Sequence, residues 1–102
     1  MKTWKVIIAP EANDRMYDHF EFLARVSGTA AIRLLETLTE DIKSLETMPF
    51  VSPFFDRSYL PKGKYRYKLS YQRYRIVYQI EGDTVYVDDI QDCRQDDDKN
   101  LI

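Results

Sequence analysis

The chain has 102 residues, 44 % apolar and 14 % aromatic, with a formal charge of −2, which excludes a disordered chain and leaves room for one domain over residues 1–102. Its single cysteine, Cys93, excludes an internal disulfide and points to a reducing, cytoplasmic compartment. The early apolar run from Val6 to Ala9 is stopped by Pro10, too short for a signal-peptide core or a membrane span.

Residues 2–9 alternate, with Trp4, Val6 and Ile8 on one side and Lys5 and Ile7 on the other, which predicts a first strand. Pro10 suits the first turn of a helix and is followed by Glu11 and Asp14, where the helix dipole favours acids. That helix is predicted to run to about Val26, with Ala12, Met16, Phe20 and Leu23 on its buried face. Ser27-Gly28-Thr29 breaks the pattern, with Gly28 as a left-handed cap. A second helix is predicted over residues 30–46, with Ala31, Leu34, Leu35, Leu38, Ile42 and Leu45 as its stripe, and Pro49 prevents its continuation. So short a break pairs the two helices as an antiparallel hairpin.

Residues 48–64 carry three prolines and Gly63 and are predicted to be an extended connection pinned to the core by Phe50, Phe54 and Phe55. From Tyr65 the period changes to two. Strands are predicted at 65–70, 74–80 and 84–90, joined by turns at 71–73 and at Glu81-Gly82-Asp83. The plan is therefore β-α-α-β-β-β, an α+β two-layer domain with the helical hairpin on a mainly antiparallel four-stranded sheet. Tyr65, Tyr67 and Leu69 are assigned to the core because they oppose a basic face, and Tyr74, Ile76, Tyr78 and Ile80 share a second apolar face.

The charge is unevenly placed. Arg57, Lys62, Lys64, Arg66, Lys68, Arg73 and Arg75 give a local +7 with no acid between Asp56 and Glu81, while the rest of the chain holds 8 basic and 17 acidic residues, or −9. Screening confines such a block to its neighbourhood, about 8 Å at physiological salt, so it marks a local phosphate-meeting surface inside an acidic protein.

The order of elements, with Tyr74-Arg75-Ile76-Val77-Tyr78-Gln79 in the middle of a three-stranded meander, resembles the RelE/ParE toxins of bacterial type II toxin–antitoxin systems. The likeness runs from the strand-Pro-Glu-Ala opening to Cys93-Arg94-Gln95-Asp96, and is most specific in the aromatic-basic-x-basic pattern followed by Tyr-Arg-x-Val-Tyr. In the RelE branch the resemblance implies a ribosome-dependent mRNA endoribonuclease (an mRNA interferase), its catalytic positions falling on Arg66, Lys68, Arg75 and Arg94. Arg66 replaces a lysine of the best-known members, and the tail from Asp96 to Ile102 has neither the Tyr nor the His that the branch carries there. In the ParE branch the same fold poisons DNA gyrase without a catalytic set. Either branch implies a cognate antitoxin, which a cationic groove beside tyrosines also suits.

The residues alone give a coherent chemistry for RNA cleavage by its own 2′-hydroxyl, with no metal or cofactor. Arg66 and Lys68, two apart on a strand, share a face, and a short turn can bring Arg75 beside them. Two guanidiniums beside Lys68 would disfavour its charge and make it a usable base, while arginines suit the phosphorane. Lys62, Lys64, Arg73 and Tyr71 are the further candidates for phosphate or base contact, Tyr71 by stacking. Arg57, Lys62 and Lys64 lie on the connection and are expected to steer. His19 is read as a surface or edge-of-core residue, Cys93 as a half-buried structural thiol, and Asp88 and Asp89 as pointing to opposite faces, so no metal site is expected. Three functions remain open: mRNA interferase acting on the ribosome and its mRNA, gyrase inhibitor acting by binding, or a non-toxic relative that only binds antitoxin.

Overall fold

The structure is a computed structural model that describes residues 2–94. Its elements are β1 (Lys5–Ile8), α1 (Pro10–Ala24), α2 (Gly28–Ser44), β2 (Tyr65–Ser70), β3 (Tyr74–Glu81) and β4 (Thr84–Asp92). The sheet order is β1-β4-β3-β2. β2, β3 and β4 form the antiparallel meander, β1 joins β4 in parallel, and the helical hairpin carries the chain from β1 at one edge of the sheet towards β2 at the other.

The helices pack on one face of the sheet. Ala12 and Met16 of α1 and Leu34, Leu38 and Ile42 of α2 meet Tyr74, Ile76 and Tyr78 of β3 and Val85, Val87 and Ile90 of β4. Trp4, Val6 and Ile8 border this core, as their alternation predicts. Burying a side chain of this kind contributes about 1.5–3 kcal/mol, so the apolar stripes decide which face the hairpin covers.

Two local expectations change. Gly28 is not a left-handed cap but the first residue of α2, because Ser27, extended at φ −156°, caps that helix by accepting the Ala30 N–H at 3.2 Å. His19 is not at the surface. It is 4 % exposed, donates from Nε2 to the Ile90 carbonyl at 2.6 Å and lies 4.9 Å from the Tyr74 ring. A neutral imidazole with one satisfied N–H behaves as an aromatic core residue, and burial lowers its pKa below 6.5 despite the carbonyl partner. The 3.6-residue pattern predicts Phe20 on this face, but Phe20 is only partly buried and His19 takes the buried position.

Two turns set the meander. Gly82, at φ 58°, opens the two-residue turn between β3 and β4. The turn between β2 and β3 is less usual: Tyr71 (φ 53°) and Gln72 (φ 57°) are both left-handed without being glycine, and the Arg73 N–H closes the turn on the Ser70 carbonyl at 3.2 Å. This is the pattern of a type I′ turn, whose twist matches paired strands. A bulge opposite Val77 and Tyr78 interrupts the alternation of β4, pairing Val77 with Asp89 and Tyr78 with Val87.

Candidate functional site

The β2–β3 register decides where the cations point. Ser70 pairs with Tyr74, so Lys68 lies opposite Ile76 and Arg66 opposite Tyr78, while Arg75 lies opposite Leu69. Residues directly opposite in an antiparallel pair share a face. Ile76 and Tyr78 belong to the helix-side core, which puts Arg66 and Lys68 on the helix side of the sheet. Arg75 is on the other side, with Tyr67 and Leu69. Arg66, Lys68 and Arg75 therefore do not converge. The cause is parity: a three-residue connection places these positions on opposite faces, and one residue more or less would have brought them together. The same register corrects the assignment of Tyr65, Tyr67 and Leu69 to the helix-packed core. They lie on the outer face, Leu69 58 % exposed.

Most cations of the block have a definite local role. Arg66 donates from Nη1 to the Ser52 carbonyl at 2.6 Å and to the Phe50 carbonyl at 3.3 Å, with its guanidinium 4.1 Å from the Phe54 ring centre and 5.5 Å from that of Phe50. It clamps the connection that also bridges to β2, where the Phe55 N–H donates to the Tyr65 carbonyl at 2.7 Å. Phe50 and Phe54 are accordingly pinned while exposed, and only Phe55 of the three is buried. Lys68 donates to Ser44 Oγ at 2.7 Å and pairs with Asp41 at 3.6 Å, both at the end of α2. The charge beside Lys68 is thus a carboxylate and not the pair of guanidiniums expected from sequence. Asp41 and Ser44, three apart on one helix face, were the signal missed.

Arg73 grips Asp92 with Nε at 3.1 Å and Nη2 at 2.7 Å, which ties the hairpin turn to the end of β4. Tyr71 packs against the edge of the core, so it is not a free stacking platform. Lys62 and Lys64 are exposed, Lys64 lying 5.3 Å from the Tyr65 ring. Arg94 is exposed, and its backbone N–H donates to Asp92 Oδ1 at 3.0 Å. Residues 95–102, which include the acidic tail and the segment without Tyr or His, lie outside the described residues.

On the outer face, Arg75 donates through Nε and Nη2 to Gln91 Oε1 at 3.1 and 2.8 Å and stands 5.3 Å from the buried Phe55 ring, which Arg57 also approaches, at 4.5 Å. Beside them opens a pocket of about 380 Å³ whose wall includes Asp56, Tyr67, Leu69 and Cys93. Arg57, expected only to steer, is therefore part of a built site. Cys93 is exposed at its margin and is not the half-buried thiol expected, although partial desolvation still raises its pKa and keeps it a thiol. Asp88 accepts from Gln79 at 2.6 Å, and Asp89 accepts from the Ile90 N–H at 2.9 Å. Among the described residues no group of three His, Cys, Asp or Glu side chains is placed to hold a metal ion, and no helix is long and apolar enough to cross a membrane.

A family model described as the ParE toxin of the type II toxin–antitoxin system parDE matches residues 6–97. The chain belongs to the ParE toxin family. It is a toxin of a type II toxin–antitoxin system, and membership implies a cognate antitoxin. The fold of this ParE-family toxin is also that of a solved structure titled "Chromosomal ParDE TA system from P. aeruginosa", with TM-score 0.73 at 12 % identity, covering 88 % of this chain and 96 % of that one. No curated protein matches the sequence. The hairpin of helices on a four-stranded sheet with one parallel pair is thus the family's architecture, as the order of elements predicts.

Proposed function

We propose that this ParE-family toxin inhibits DNA gyrase by binding it and carries out no bond cleavage of its own. The observation that carries this reading is the division of the basic block by the β2–β3 register, with Arg66 and Lys68 on the helix side and Arg75 on the outer face. Cleavage by the RNA's own 2′-hydroxyl requires a proton acceptor and charge-stabilising donors within contact distance of a single phosphate. Arg66 is committed to backbone carbonyls, Lys68 to Asp41 and Ser44, and Arg73 to Asp92. These contacts give three of the expected phosphate ligands a structural task. The gyrase target comes from what the ParE branch of the family resemblance implies, and the family match favours that branch over the mRNA interferase.

A binding toxin needs surface more than a catalytic centre. Arg57, Lys62 and Lys64 keep a cationic margin on the connection, which raises the rate of encounter with an acidic partner and weakens with salt. The test is supercoiling of relaxed plasmid by purified gyrase and ATP. Supercoiling should fall as toxin approaches gyrase in concentration and return when antitoxin is added. Undiminished supercoiling, with ribosome-bound mRNA cut at discrete codons, overturns the proposal in favour of the nuclease.

A further inference from the structure

The outer-face pocket is built around one buried ring carrying two cations. Phe55 is 3 % exposed, meets Tyr67 edge-on at 5.8 Å, and has the Arg57 and Arg75 guanidiniums 4.5 and 5.3 Å from its centre. Among the described residues neither arginine has a carboxylate within salt-bridge distance, although Asp56 lines the same pocket. Like charges gathered over one ring repel one another, and an anion seated between them removes that cost. Gln91 holds Arg75 in place through Nε and Nη2 and does not take Nη1, and Arg75 lines the pocket.

We infer that this pocket receives an acidic side chain of a protein segment, with a neighbouring apolar side chain on its exposed rim. Two guanidiniums and one carboxylate leave the pocket at +1, which a single carboxylate neutralises; a phosphodiester carries the same charge, so it is the apolar rim that favours a protein segment. The rim supplies the apolar half of the site, Phe54 at 45 % and Leu69 at 58 % exposure. A volume of about 380 Å³ holds one or two side chains, consistent with capture of a short segment. Family membership supplies the protein partner that such a site requires, and the inference does not depend on gyrase being the target, so the two fail separately.

The experiment is an NMR titration of the ¹⁵N-labelled full chain with the blocked tripeptide acetyl-Phe-Asp-Leu-amide, its Asn analogue, and tetrathymidylate. The Asp peptide should shift the amide signals of Phe55, Tyr67, Leu69 and Cys93, and the Asn peptide should bind about tenfold more weakly, the scale of one charge-assisted contact. Arg57→Gln, on the connection and free of the Gln91 contact, should weaken the Asp peptide to a similar extent with a dispersed spectrum. Arg75→Gln should do the same, and Asp56→Asn should tighten binding. Equal binding of both peptides, tetrathymidylate shifting these signals where the Asp peptide does not, or no shift with any probe overturns the assignment.

Discussion

Arg66 separates the structural and catalytic readings most sharply, because its two roles predict different losses. Removing the side chain in Arg66→Ala deletes a charged hydrogen bond to the Ser52 carbonyl at 2.6 Å and a longer one to Phe50 at 3.3 Å. It also deletes the stacking on Phe54 at 4.1 Å and on Phe50 at 5.5 Å. A hydrogen bond from a charged donor contributes about 1.5–3 kcal/mol, and an exposed cation–π contact about 0.5–1 kcal/mol. Arg66 is only half-buried and the connection keeps a second anchor, the Tyr78 hydroxyl on the Pro49 carbonyl at 2.7 Å, so the low end of each range applies. The expected cost is about 2–3 kcal/mol, which for a chain of this size lowers Tm by about 10–20 °C. Thermal and urea melts followed by circular dichroism read it directly. Arg66→Lys keeps the charge but loses the planar stack and should recover about half of the loss. A Tm for Arg66→Ala within about 2 °C of wild type, with toxicity abolished, would refute the clamp and return Arg66 to phosphate contact.

Three further outcomes follow from the same geometry. Gln72→Gly removes a left-handed strain of about 1–2 kcal/mol at φ 57°, offset in part by glycine's greater chain entropy, and should raise stability by about 1 kcal/mol in urea unfolding; a loss of stability contradicts the type I′ assignment. His19 has a folded pKa below its unfolded value of 6.5, so its contribution is present above that pH and is lost as pH falls. Unfolding free energy should therefore decline as pH falls below about 6.5 and decline less in His19→Gln, and a wild-type rise on acidification contradicts the burial. Tyr74 and Tyr78 have raised pKa values because burial opposes their ionisation, so the stability they contribute is lost as pH rises past about 10, and Tyr78→Phe should shift that alkaline limb upward.

The elements were largely legible because their periods are strong. The α2 stripe of Leu34, Leu38 and Ile42 repeats every four residues and became the core as read, and the change to period two at Tyr65 marks β2 to the residue. The parallel pairing of β1 with β4 joins strands distant in sequence and does not follow from local pattern. The candidate site was less legible, for one physical reason. Alternation shows that Arg66 and Lys68 share a face, but which face Arg75 takes depends on the parity of the turn. That parity rests on Tyr71 and Gln72 adopting left-handed conformations that their identities do not advertise. The roles of Asp41, Ser44 and Gln91 likewise depend on contacts distant in sequence. His19 packs as a core aromatic and Arg66 as a brace on the connection, roles set by partners distant in sequence.

The central claim is that Lys68 and Arg75, on opposite faces of the sheet, do not act on one phosphate. Primer extension across ribosome-bound mRNA in a cell-free translation mix tests it with wild type, Lys68→Ala and Arg75→Ala side by side. The account predicts full-length extension products in all three reactions. Codon-specific cuts with the wild type that disappear in both variants, each still folded by circular dichroism, would contradict it.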